Sequence, residues 1–72
     1  MDPETLRRHL AQANEHVAQG ERLIAEQRER IRLFALRGND TSRAEELLRL
    51  FEDTQAHHVA DRDRLIAELA GY

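Results

Sequence analysis

Leu6, Leu10, Ala13, Val17, Gly20, Ile24, Gln27, Ile31 and Phe34 recur at alternating intervals of four and three residues. That spacing keeps one stripe of a helix facing one neighbour, as in a coiled-coil seam. The pattern breaks at Gly38-Asn39-Asp40, and a second helical pattern follows. Its inner face reads Ala44, Leu48, Phe51, Gln55, His58 or Val59, Arg62, Leu65 or Ile66, and Leu69. The stretch from Gln55 to Arg62 is polar for a core. These patterns predict an all-α fold: an antiparallel two-helix hairpin. The candidate helix–helix core is Leu10, Val17, Gly20, Ile24, Ile31, Phe34, Leu48, Phe51, His58, Leu65 and Leu69.

Local signals set the boundaries. Asp2 can cap free amides, Pro3 suits the first helical position, and Glu4 complements the positive end of the helix dipole. The first helix is expected over about 3–37, with Gly38 as a left-handed stop. A turn over 38–41 follows, then a helix over about 42–70 that ends at Gly71. Ser42-Arg43-Ala44-Glu45 matches a capping box, and Asp40 or Thr41 offers a cap one turn earlier. So short a link forces antiparallel packing within a single domain, 1–72. If Leu36 lies beside Arg43, His58 falls at Gly20, Phe51 near Arg28, Arg62 near Val17 and Leu69 near Leu10. A seam glycine costs a helix up to about 1 kcal/mol relative to alanine. Its presence argues for a bulky occupant opposite, and this register nominates His58 or Val59.

The apolar surface is wider than one seam. Leu23 flanks Ile24, Leu47 flanks Leu48, and Ile66 flanks Leu65. Two helices cannot cover both members of each pair, whereas a four-helix bundle can. Leu33, Leu36 and Leu50 lie further out, near the turn. Leu23, Leu33, Leu36, Leu47, Leu50 and Ile66 are therefore the candidate oligomer interface, and a homodimeric four-helix bundle is the expected assembly. Size agrees: a chain of 72 residues without cysteine has neither disulfides nor thiolate metal sites to supplement a small core.

Composition sharpens this picture modestly. Helix-favouring Ala, Leu, Glu, Gln and Arg dominate. All 11 basic residues are arginine, and the net charge of −3 argues against a nucleic-acid polycation. Residues 1–37 carry seven arginines against six acids, and 38–72 carry four against eight. Glu4–Arg8, Arg22–Glu26, Glu26–Arg30, Glu45–Arg49 and Arg64–Glu68 stand at helical spacing, each contributing about 0.2–0.5 kcal/mol. No apolar run approaches the roughly 20 residues of a membrane span, and the N-terminus lacks the apolar stretch of a signal peptide. The expected location is the cytoplasm, with no membrane partner.

Candidate chemistry is sparse. His57 and Asp61 share a helical face, His58 adjoins them, and His16 can approach from the first helix. His16, His57, His58 and Asp61 are thus the candidate metal ligands, although no HExxH or Glu-x-x-His repeat accompanies them. The expectation is no metal and no cofactor. Lysine is absent, Ser42 and Thr41 read as caps, and no glycine-rich phosphate loop is present, so no catalytic residue is assigned. Arg22, Arg28 and Arg32 form one basic stripe, diluted by Glu21, Glu26 and Glu29.

The two-helix layout is similar to that of the repressor-of-primer RNA-binding hairpins, which form antiparallel four-helix bundles, but no motif is shared. A second resemblance rests on residues. His9-Leu10-Ala11, His16-Val17-Ala18, Asp40-Thr41, and Thr54-Gln55-Ala56 continuing through His58-Val59-Ala60-Asp61-Arg62-Asp63-Arg64 resemble short bacterial proteins of similar length and unassigned function. Leu23 stands where a third heptad-spaced histidine would complete that series. The resemblance implies a self-contained unit and no mechanism.

The expected function is a non-catalytic, self-associating interaction or small regulatory module. Its partner is a second copy of itself, with an unidentified protein as a further partner. An RNA-binding hairpin dimer and a histidine–carboxylate metal-binding bundle are the alternatives.

Overall fold

A computed structural model describes residues 1–72. Helix α1 spans Pro3–Leu36 and helix α2 spans Ser42–Ala70. They pack side by side as a hairpin in a rod of 54 × 14 × 13 Å. The expected boundaries hold to within a residue at the end of α1.

The caps explain where each helix begins and ends. Asp2 accepts from the Thr5 amide at 2.9 Å and from the Thr5 hydroxyl at 3.0 Å. Both bonds favour the ionised carboxylate, so its pKa lies below the usual aspartate value. At the other end Gly38 takes φ +76°, the left-handed conformation that a β-carbon disfavours. Its amide donates to Ala35 O, and the Asn39 amide donates to Phe34 O, so two carbonyls in the last turn of α1 stay paired.

The start of α2 departs from the capping-box expectation. Thr41 is the N-cap by backbone position but makes no side-chain cap bond. Asp40 supplies it: Oδ1 accepts from the Ser42 amide at 3.0 Å and from the Ser42 hydroxyl at 2.7 Å. The Asp40 pKa is lowered for the same reason as that of Asp2, by hydrogen bonds from Ser42.

Between the helices the register lies deeper than expected. The Gln27 carboxamide donates to Ala44 O at 2.9 Å, and the Gln55 carboxamide donates to Val17 O at 2.9 Å. Gln55, not His58, stands against Gly20: a β-carbon there would lie 1.8 Å from Gln55 Oε1. His58 lies one turn further along α2, with its ring centre 5.0 Å from that of His16. The cause is the path of the link. Gly38 turns the chain back against the end of α1, so α2 starts about one turn lower than a Leu36–Arg43 pairing implies.

In this register the α2 seam is a regular heptad stripe: Ala44, Leu48, Phe51, Gln55, His58, Arg62, Leu65 and Leu69. The buried apolar cluster sits at the open end of the hairpin. Leu6, Ala13 and Leu65 form it, with Leu10 and Leu69 packed against them. Leu65 therefore lies between Leu6 and Leu10, and the Leu69–Leu10 layer is displaced with the rest. Leu6 and Ala13 are buried although the candidate core omitted them. Phe34, a candidate core residue, is 37% exposed, because α2 begins below it. Val17 and Leu65 are buried as expected, whereas Leu10, Gly20, Ile24, Ile31, Leu48, Phe51, His58 and Leu69 are half-buried. The Tyr72 hydroxyl donates to Met1 O and joins the two termini.

Two outcomes follow from these contacts. Gly20→Ala gains helix propensity of up to about 1 kcal/mol but displaces Gln55 from Val17 O, a bond with a net value of about 0.5–1.5 kcal/mol. The substitution is expected to be neutral or destabilising in urea denaturation, and stabilising in a Gln55→Ala background. Stabilisation by Gly20→Ala alone would contradict the Gly20–Gln55 contact. The second outcome concerns acid. Lowered folded-state pKa values at Asp2 and Asp40 mean that their contribution is present above the ordinary aspartate pKa. It disappears as pH falls through the depressed values. An Asp2→Ala, Asp40→Ala variant should lose less stability between neutral pH and about pH 3 than the native chain does.

Candidate functional site

One flank of the hairpin collects the residues singled out in the sequence. Heptad position places His9, His16, Leu23 and Arg30 of α1 on the same side as Leu47, Thr54, Asp61 and Glu68 of α2. Leu33 and Phe34 of α1, and Leu50, Phe51 and His57 of α2, adjoin that flank. The opposite flank carries Glu21, Arg28, Glu52, Val59 and Ile66, and a 3.4 Å ion pair between Arg28 and Glu52 spans it.

The candidate oligomer interface is thereby divided. Leu23 and Leu47 are each a little over a third exposed, and Leu50 is 61% exposed, all on the first flank. Leu33 is half-buried beside them. Leu36, 72% exposed, lies just beyond at the turn. Ile66, 48% exposed, belongs to the opposite flank and does not share a surface with the others. The sequence pairing of Leu65 with Ile66 showed that the apolar arc is wide at that point, but not in which direction it widens.

The apolar part of the first flank occupies the half near the turn. At mid-rod the flank becomes polar around a cleft of about 60 Å³ lined by His16, Gln19, Gly20, Leu23, Phe51, Thr54, Gln55 and His58. The cleft exists because Gly20 has no side chain and Gln55 only partly fills the gap. Gln55 Nε2 is satisfied by Val17 O, whereas the buried Gln55 Oε1 has no hydrogen-bond partner. The His16 and His58 rings face each other there, tilted by 43°.

The other candidate ligands lie apart from this pair. His57 is exposed, and Asp61 is engaged at 2.6 Å by Arg64, which also meets Glu68 at 2.9 Å. Those contacts raise the Arg64 pKa, with the Asp61 bond the larger cause. No three His, Asp or Glu groups converge as a metal-binding set within one chain.

Two arginines of the stripe, Arg28 and Arg32, are matched by carboxylates. Arg32 grips Glu29 with two bonds of 2.9 and 2.6 Å, which lower the Glu29 pKa and raise that of Arg32. Arg28 pairs with Glu52, and Arg30 donates to Gln27 Oε1 at 3.4 Å. Of the five acid–arginine pairs expected at i, i+4, Arg64–Glu68 alone forms a salt bridge. Arg8 and Arg30 turn instead to Thr5 and Gln27, each three residues earlier.

No protein-family model, curated protein or solved structure matches this chain. No helix is long and apolar enough to cross a membrane.

The residues that sequence reasoning missed are Gln27 and Gln55. Both occupy seam positions, and that placement was the available signal. A glutamine at a seam either disrupts packing or bonds across it, and here both bond to the facing backbone. Gln27→Ala should lower stability by about 1 kcal/mol or more through the lost bond and the cavity left behind, measured by chemical denaturation.

Proposed function

We propose that this chain is a non-catalytic, self-associating module whose working surface is the flank carrying Leu23, Leu33, Leu47 and Leu50. Surface bookkeeping is the observation that supports it. The hairpin exposes 5347 Å², against about 4,600 Å² expected for a folded monomer of its mass. The excess, on the order of 700 Å², approaches the roughly 800 Å² that each partner contributes to a standard interface. Only 5 of 72 residues are buried, too few for a chain that folds without help.

A second copy is the natural occupant. Two hairpins joined through this flank form a homodimeric four-helix bundle. The apolar patch also favours one arrangement. If the turns lay at opposite ends, the leucines of one copy would meet the His57, Arg64 and Glu68 half of the other. With the turns at the same end, leucine meets leucine. The matched arginine–carboxylate pairs on the outer faces suit solvent better than a phosphate backbone, so protein association is favoured over RNA binding. A cytoplasmic setting fits the absence of cysteine.

The test uses the absence of cysteine directly. Leu50→Cys should cross-link to itself rapidly under mild oxidation if the turns lie together, and His9→Cys placed at the far end should not cross-link to Leu50→Cys. Leu47→Glu should weaken dimerisation at least tenfold in sedimentation equilibrium and make stability independent of concentration. A native chain that stays monomeric at tens of micromolar, with concentration-independent stability, would overturn the proposal.

A further inference from the structure

The mid-rod cleft has chemistry that packing alone does not require. Two imidazoles stand 5.0 Å apart across the helix interface. A tetrahedral zinc ion bonded to two imidazole nitrogens at 2.0–2.1 Å holds the ring centres about 5 Å apart, so the observed spacing matches a shared ion. Gln55, which lines the same cleft, carries a buried Oε1 acceptor without a donor. A histidine that binds metal through one ring nitrogen carries a proton on the other and needs such an acceptor. Neutral nitrogen ligands select zinc-like transition ions over magnesium or calcium.

We infer that His16 and His58 form a half-site for a divalent transition-metal ion, completed by the same two residues of a second copy. One hairpin supplies two of the four ligands of a closed tetrahedral site. Both histidines lie near the middle of the rod, on the flank proposed for self-association. A twofold axis either along or across the rod therefore brings one pair opposite its counterpart. The inference rests on the self-association reading, and the ion adds a specific latch to an interface otherwise held by leucines. Asp61 shares this flank but is held by Arg64, and His57 lies exposed at its edge, so neither takes part.

The experiment uses the full chain without a polyhistidine tag, at neutral pH, titrated with zinc chloride by calorimetry and followed by sedimentation equilibrium with zinc or with EDTA. The expected result is one zinc per two chains and a dimerisation constant at least tenfold tighter with zinc. His16→Ala, at an exposed position, and His58→Ala should each abolish that gain, while His57→Ala should retain it. Circular dichroism in EDTA confirms that each variant keeps its helices. Should His58→Ala lose helicity, His16→Ala alone carries the test. Absence of zinc binding, binding that survives His16→Ala, or one zinc per chain without tighter dimerisation would each overturn the inference. Dimers that persist in EDTA with no response to zinc would remove the metal site and leave self-association standing. Monomers in both conditions would remove both.

Discussion

The contact of Gln55 with Gly20 and Val17 governs the arrangement of everything around it. A two-helix seam has little apolar volume with which to choose among registers, because sliding one helix by a turn exchanges one aliphatic contact for another. A carboxamide that donates to one backbone carbonyl and sits over a residue without a side chain is less forgiving. Gln27 repeats the device near the turn. These two bonds lock α2 at the height where the link sets it, and from that height follow the pairing of the histidines, the burial of Leu65 and the exposure of Phe34.

The seam accordingly has three zones with different physics. Near the termini it is apolar, around Leu6 and Leu65. In the middle it is polar, with Gln55, His58 and Arg62 facing Ala13, Val17 and Gly20. Near the turn its aliphatic residues spread sideways onto one flank. Uneven distribution of this kind turns a plain hairpin into a molecule with a distinct working side, since the leucines and the cleft fall on one flank while the ion pair of Arg28 with Glu52 falls on the other.

Much of the fold was legible in the sequence, because its signals were local. Asp2, Pro3, Gly38 and the heptad of α1 each act within a turn or two of themselves, and the helices begin and end where those residues require. Register was not legible, because it depends on how Gly38 to Thr41 fold back against α1, a path that no single residue type dictates. The site shared this fate. Gly20 marked the place where something had to fit, but whether Gln55 or His58 filled it turned on a shift of one helical turn. The histidines came together for the same reason. The direction in which the apolar arc widened at Leu23, Leu47 and Ile66 also needed the register, since adjacent residues can extend a stripe to either side.

The location of the apolar cluster bears on how the rod comes apart. In most antiparallel hairpins the end remote from the link frays first. Here that end is fastened by Leu6, Leu65 and their neighbours and by the Tyr72 hydroxyl on Met1, while the other end is joined covalently through Gly38. Between those two fastenings the seam is polar, held by the bond from Gln55 to Val17 O and burdened by the unpaired Gln55 Oε1. Thermal opening would therefore start as a bubble at mid-rod rather than as unzipping from the tips, with amide exchange fastest where the two helices are furthest from either fastening.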